Sequence, residues 1–423
     1  MSDNLFFTEM SLFCHHIEVN SVQTAGIIIE YNPLHNGHVY LLEETRRLLG
    51  QDTAIIGVMS GDFVQRGDFA IVRRQARAKA AVESGVDLVL ELPLPWAVGS
   101  AERFADGGVA VLAATGVVEH LAFGSEYGDA TALERLAAVL LSEEFPRMLK
   151  AELAKGVSFA AARQRAVERL TSSEDAAILE HPNNILGVEY CKALLRRGTA
   201  IRPLTVRRKG TGYHGTELEG TLPSATMLRA LLRTGEREKA LSLMAPAMRT
   251  AYEKEEWAGR APVLSSTCER AILARLRSMS EADFAELDEG REGLYHRLYE
   301  ASRTATGLEE ILNAAKTKRY AHARLRRIVL WAWLGMTSAD FQSEIPYLRV
   351  LAANKTGREL LGRMRKTASV PVLTKSQHVR RLGQEAQTLF DLEARAADLY
   401  ALAYPDLSAA VGGSLWREGP VIR

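Results

Sequence analysis

Two histidines flank a glycine in the stretch Tyr31-Asn32-Pro33-Leu34-His35-Asn36-Gly37-His38, a spacing suited to chemistry at a phosphate. Imidazole N–H groups can donate to oxygens that gain charge during transfer, and Gly37 lets a phosphate approach bare backbone. Pro33 fixes its own φ and biases Asn32 away from the helical region, which keeps the loop from winding into a helix too early. An isolated H-x-G-H string is more often a helix-capping pair or a chance surface pair. Its neighbourhood favours a nucleotide site. AGIIIEY at 25–31 reads as a short buried strand, and from His38 to Leu49 the residues Leu41, Leu42, Leu48 and Leu49 recur one heptad apart, as on a helix. Strand, tight loop and helix N-terminus together make the place where an open α/β sheet binds nucleotide phosphates.

The elements that must hold this loop follow the same alternation. TAIIGVM at 53–59, VDLVLELPL at 86–94 and HLAFGSE at 120–126 read as further strands, with a helical stretch from Val72 to Ser84 between the first two. Such alternation favours parallel pairing through right-handed crossovers, hence an α/β fold with a doubly wound, mostly parallel sheet. Beyond Asp129 the chain turns largely helical, with Leu133, Leu136, Leu140 and Leu141 at helical spacing, and IRPLTVRR at 201–208 is an extended piece able to return to the sheet. From Ser224 nearly everything reads as helix, broken near Pro246, Pro262, Pro346 and Pro371. The expected organisation is an extension over 1–24, a nucleotide-binding α/β domain over 25–234 and a helical domain over 235–423.

Composition narrows the function without choosing it. The 423 residues suggest roughly two or three domains, and 47% apolar with 25% charged residues is an ordinary globular balance. With 53 basic against 52 acidic residues, net charge +1, any nucleic acid must be held by a local basic patch. Cys14, Cys191 and Cys268 have no paired spacing of a metal site or disulfide framework, which fits a reducing compartment. No apolar run approaches the roughly 20 residues that span a bilayer, and no basic start marks a secretory signal, so a cytoplasmic location is expected. One basic patch does stand out. Lys316, Lys318, Arg319, Arg324, Arg326 and Arg327 crowd one predicted helix, with Lys316, Arg319, Tyr320, Ala323, Arg324 and Arg327 on one face. It is either an RNA surface or a solvated helix face.

A second constellation, Ser224-Ala225-Thr226-Met227-Leu228-Arg229, opens a helix with hydroxyls in its first turn. Alone it reads as an N-cap by Ser224, although a helix start of this kind can also cradle a phosphate.

Taken together, these motifs resemble the tRNA(Met) cytidine acetate ligases, members of the H-x-G-H nucleotidyltransferase-like superfamily. The likeness rests on IIIEYNPLHNGH at 27–38, VMSGDFVQRGDFA at 58–70, SGVDLVLELP at 84–93, FGSEYGD at 123–129, PNNILGVEY at 182–190, YHG at 213–215 and SATMLR at 224–229. It continues through Lys316 to Tyr320 and SVPVLTK at 369–375, and so covers essentially everything after residue 24. The resemblance implies ATP contacts along Ile28, Ile29, Glu30, Tyr31, Asn32, Pro33, Leu34, His35, Asn36, Gly37, His38, Val39, Tyr40 and Leu41. It adds Gly124, Asn183 and Arg208. It also implies His35 and His38 as catalytic groups, and Ser224, Thr226 and Arg229 as a phosphate-binding helix start whose arginine holds the β and γ phosphates. Where a proline and then a lysine-tryptophan pair are usual after QRG, this chain has Phe69 and Arg74-Gln75.

By this likeness the reaction has two steps. Acetate attacks the α-phosphate of ATP to give acetyl-adenylate, and N4 of the wobble cytosine of elongator tRNA(Met) then attacks the mixed anhydride. Mg²⁺ is expected on the leaving pyrophosphate, and the basic patch, Lys316, Lys318, Arg319, Arg324 and Arg327, is the candidate tRNA contact. Two other classes share the first site. One is a nucleotidyltransferase acting on a phosphorylated small molecule; the other is a noncatalytic RNA-binding protein.

Overall fold

Apolar runs rich in Ile, Val and Leu form the strands of the central sheet. They are β1 (Thr24–Ile29), β2 (Ala54–Ser60), β5 (Leu88–Leu92), β6 (His120–Ser125) and β7 (Arg202–Arg207), and β1, β2 and β5 are almost wholly buried, as expected where helices cover both faces. A short antiparallel ribbon, β3 (Phe63–Val64) with β4 (Asp68–Phe69), follows β2. In this computed structural model the chain is described over residues 22–208, 223–287, 289, 293–317, 320–341 and 344–423.

Strands β5, β2, β1, β6 and β7 lie side by side in that order and are all parallel. The order reverses between β1 and β6. A doubly wound sheet leaves a crevice at such a reversal, outside the carboxyl ends of the two strands. The His35–His38 loop follows β1 at that end, and Gly124 lies near the end of β6, so topology alone brings them together.

β8 (Leu348–Ala353) pairs antiparallel with β5, and β9 (Val372–Leu373) and β10 (Val421–Ile422) both pair with β8, so the chain comes back to the sheet after a helical excursion. A boundary at 235 therefore does not divide sheet from helices. The run LRVLAA is six residues long and buried on both faces, and such a run carries no period that separates strand from helix. A separate core of helices, containing Leu276, Leu294, Leu298, Ile328 and Trp331, closes over Phe63 and Phe69 of the ribbon.

The expected basic helix over 316–327 is also corrected. The Leu308–Ala315 helix ends before Lys316, and a new helix, His322–Leu334, begins after it. Tyr320 and Arg327 are buried, and Arg324 and Arg327 both donate to Glu289, at 2.6 Å to its carbonyl and 2.8 Å to its carboxylate. Their partner lies over 30 residues away in sequence, so helical periodicity could not reveal it. Lys318 and Arg319 fall outside the described residues, as do residues 1–21 and the YHG stretch. Among the described residues no helix is long and apolar enough to cross a membrane.

Candidate active site

The two imidazoles first serve the backbone. His35 is the N-cap of the Asn36–Leu49 helix: its Nδ1 accepts from the Gly37 amide at 3.1 Å, while Nδ1 of His38 accepts from the His35 amide at 3.2 Å. The pair thus forms a capping box in histidine, with its rings stacked 3.8 Å apart. Capping also fixes which nitrogen of each ring carries the proton. A backbone amide can only donate, so each Nδ1 must be unprotonated and each neutral ring carries its proton on Nε2. The result is two fixed N–H donors at the mouth of the first βα turn.

Electrostatics keep both rings neutral. Burial, and then the nearby Arg208 guanidinium, push the His35 pKa down to about 4; burial, His35 and Arg208 hold His38 well below the ordinary imidazole value. Between pH 6.5 and about 4 the unfolded chain therefore binds protons at His35 that the folded chain refuses. Stability should fall as pH drops through that window, by about 3 kcal/mol for His35. Urea unfolding across the window checks this: His35→Asn, which keeps a capping acceptor, should flatten the acid slope. An unchanged slope would remove His35 as its source.

The loop is held on every side. Tyr31 adopts φ 47°, in the left-handed region, and the Asn32–Pro33 peptide is cis. The Asn32 side chain accepts from the Ile71 amide at 2.8 Å, the Asn32 carbonyl accepts from Arg229 at 2.7 Å, and the Leu34 carbonyl accepts from the Ala245 amide at 3.2 Å. Glu30 accepts from the Gln65 amide at 2.7 Å. Beneath these lies Arg77, fully buried, which donates to the carbonyls of Glu30, Ser60, Gly61 and Val72 and so ties the ends of β1 and β2 to the following segments. Sequence reasoning missed Arg77, whose only mark is a charge amid the alanines of RRQARAKAAVE.

The expected contacts divide into two kinds. Ile29, Tyr31, Leu34, Val39 and Leu41 pack into the core behind the loop, and Ile28 packs on the opposite face of the sheet, so their route to a ligand is through the backbone. Pro33 is buried as well; Asn36 is exposed, and Gly37, His38 and Tyr40 are half-buried. Across the crevice, the Arg208 amide donates to the Ser125 carbonyl at 3.0 Å, and a Cβ on Gly124 would sit 3.4 Å from Arg208 Cγ. The Arg208 stem therefore lies along β6 beside Gly124, where a Cβ would just meet it in ordinary contact. Ser224 is an N-cap, accepting from the Met227 amide at 3.2 Å. Thr226 accepts from Arg229 at 3.2 Å, and Arg229 in turn reaches the histidine loop through Asn32. Burial lowers the pKa of Arg229, opposed by Glu30 and Asp68 and reinforced by Arg233 and Arg66.

Of the Asn183-Asn184 doublet, the second residue carries the fold. Asn184 is buried; its Oδ1 accepts from the amides of Glu126 and Tyr127 at 2.9 and 3.0 Å, and its Nδ2 donates to the Ile178 carbonyl. Asn183 is half-buried, its amide aimed by Glu126 Oε1 at 2.5 Å. Asn184→Ala should cost about 1–3 kcal/mol by leaving two amides without an acceptor. Asn183→Ala should leave stability within about 0.5 kcal/mol and raise the ATP KM. Thermal unfolding and ATP titration of the two variants separate these roles, and equal destabilisation would refute the division.

The departures Phe69 and Arg74 are absorbed into packing. Phe69 lies against Phe63, Trp333 and Tyr400, and Arg74 pairs with Asp62 at 3.1 Å and Glu91 at 3.5 Å in a buried network that Arg349 joins through Glu91. The Gln75 departure has no explanation in the structure.

The mostly parallel sheet carries a histidine-capped helix at its switch point, where such folds bind nucleotides, and the HIGH Nucleotidyl Transferase family matches residues 22–412. The tRNA(Met) cytidine acetate ligase of Acetivibrio thermocellus is 35% identical over 95% of this chain and all of its own length. That of Caldicellulosiruptor saccharolyticus is 39% identical over 91% of this chain and 95% of its own. Among solved structures, Thermotoga maritima TmcAL bound with alpha-thio ATP superposes with a TM-score of 0.88 at 32% identity, covering 95% of this chain and 99% of that one. Its apo form gives 0.89 at 33% identity over the same shares. The chain belongs to the tRNA(Met) cytidine acetate ligase family.

Proposed function

We propose that this chain is an ATP-dependent ligase that activates acetate as acetyl-adenylate and transfers the acetyl group to N4 of the wobble cytidine of elongator tRNA(Met), in the cytoplasm. The observation that carries the reading is the pair of backbone amides that donate to Nδ1 of His35 and His38 just after β1, which leaves each neutral ring an Nε2–H donor for an α-phosphate bound in the sheet's crevice. The relatives' names supply the acceptor, and the alpha-thio ATP on the Thermotoga protein supports the nucleotide.

In the first step a carboxylate oxygen of acetate attacks the α-phosphorus, and the bond to pyrophosphate breaks in line with it. Charge grows on the non-bridging oxygens. Two Nε2–H donors held by backbone need no reorganisation to meet it, and neutral donors do not bind the ground-state phosphate as tightly as cations would. Arg208 and Arg229 take the β and γ phosphates, with Ser224 and Thr226 at the helix start beside them. Asn183 meets the base or ribose. In the second step N4 attacks the acyl carbon, the bond to AMP breaks, and N4 loses one proton. Among the described residues no three His, Cys, Asp or Glu side chains converge to hold a metal ion. Mg²⁺ accompanying the nucleotide would be held through phosphate oxygens.

Radiolabelled pyrophosphate and ATP test the first step. The purified chain should exchange label into ATP only when acetate is present, and adding elongator tRNA(Met) should yield N4-acetylcytidine on nucleoside mass analysis. Exchange that requires a phosphorylated small molecule instead would favour a conventional nucleotidyltransferase.

A further inference from the structure

A cavity among the described residues lies apart from the histidine loop. It has a volume of about 340 Å³, within the range of small-ligand sites, and sits between the β3–β4 ribbon and the helical core. Phe69, Ile272, Leu312, Val329 and Trp333 line it with apolar and aromatic surface. At the rim Arg233 pairs with Asp68 at 2.7 Å and Arg326 with Glu309 at 3.0 Å; both arginines are exposed, Glu309 is exposed as well, and Asp68 is partly buried. An exposed pair such as Arg326–Glu309 is worth little, and the Arg233 guanidinium is itself open to solvent, so each arginine can turn from its partner to a phosphate.

The cavity is tied mechanically to the nucleotide loop. The Ala225–Arg233 helix carries Arg229, bonded to the Asn32 carbonyl, and one turn later Arg233 on the rim, about 6 Å further along its axis. Gly67, in the ribbon turn, lines the cavity, and a Cβ there would lie 2.4 Å from the Arg327 backbone nitrogen. The ribbon is therefore pressed onto the helix that forms the far wall. Arg66 of the same turn is exposed and lies within electrostatic reach of Arg229. Cationic side chains thus run from the loop to an aromatic pocket, the arrangement by which proteins hold single-stranded nucleic acid: arginines on the backbone and a base on an apolar face.

Resting on the ligase reading, we propose that this cavity receives an unstacked nucleobase of the RNA substrate that flanks the acceptor cytosine, with Arg233 and Arg326 on the adjoining phosphates. The pocket lies to one side of the reacting phosphate. It holds a neighbour of the acceptor and fixes the register of the strand, leaving the acceptor itself free to reach the adenylate.

The test uses the full chain, an anticodon stem-loop of elongator tRNA(Met), and two rim substitutions that plug the cavity, Ser266→Trp and Leu308→Trp. Acetate-dependent pyrophosphate exchange, which needs no RNA, serves as the control for folding. Either plug should raise the RNA Kd about ten-fold while exchange stays within two-fold of wild type. Stem-loops made abasic at each loop position in turn give the readout that a structural effect would not move. One abasic position beside the acceptor should weaken binding to the wild-type chain about ten-fold and weaken binding to Ser266→Trp no further. Plugged variants that bind RNA as wild type does, or abasic penalties identical in wild-type and plugged chains, would overturn the proposal. Failure of exchange in the wild-type chain would count against the ligase reading, which the binding measurements do not use.

Discussion

His38→Ala should lower the rate of acetate-dependent pyrophosphate exchange ~10²- to 10³-fold with little change in the ATP KM, the loss seen when one preorganised donor to a developing charge is removed. The substitution has a second consequence. Nδ1 of His38 accepts from the His35 amide, so alanine also opens the capping box, at a cost of about 1 kcal/mol. His38→Asn separates the two effects, since its side-chain oxygen can still accept from that amide while its donor sits elsewhere. The account expects His38→Asn to recover most of the stability and little of the rate, and His35→Ala to lose rate to a similar degree. Equal recovery of both would mean that the histidines act on the reaction only by shaping the helix start.

Replacing Arg77 should have the largest effect on the fold. Its guanidinium is fully buried and serves four carbonyls, two of them at Glu30 and Gly61, just past the ends of β1 and β2. Arg77→Met removes the donors but not the acceptors, and stranded buried acceptors each carry a desolvation cost. The expected loss is about 3–5 kcal/mol, measured by urea unfolding. Arg77→Lys should recover little of it, because an ammonium cannot span four carbonyls that a planar fork reaches. The histidine loop begins at Glu30, so, with ATP bound there as proposed, its affinity should weaken in both variants before global unfolding sets in. A stable Arg77→Lys protein would show that the charge matters and the fork does not.

These cases also show what could be read from the chain and what could not. The first strand, the loop and its helix were legible because each signal is local: an apolar run, a proline, two histidines about a glycine, then leucines at helical spacing. Location within the sheet followed from alternation of strands and helices. In the sequence, capping and phosphate chemistry are alternative readings of His35 and His38; the geometry shows the capping contacts, which set the tautomer that the proposed chemistry needs. Nonlocal pairing was not legible. Arg77 takes its meaning from carbonyls up to 47 positions away, and Arg324 and Arg327 take theirs from Glu289, a partner that helical spacing does not reveal. β8 was hidden for a related reason, since its partner strand, β5, lies some 260 residues earlier. The Asn183-Asn184 doublet carried a motif but not the information on which residue faces inward.

A crystal structure of this chain with a non-hydrolysable ATP analogue tests the central claim most directly. The account predicts an α-phosphate oxygen within hydrogen-bond distance of Nε2 of His35 or His38, both Nδ1 atoms still on their backbone amides, and Arg208 and Arg229 on the outer phosphates. A triphosphate bound elsewhere, or rings flipped so that Nδ1 faces the nucleotide, would contradict it.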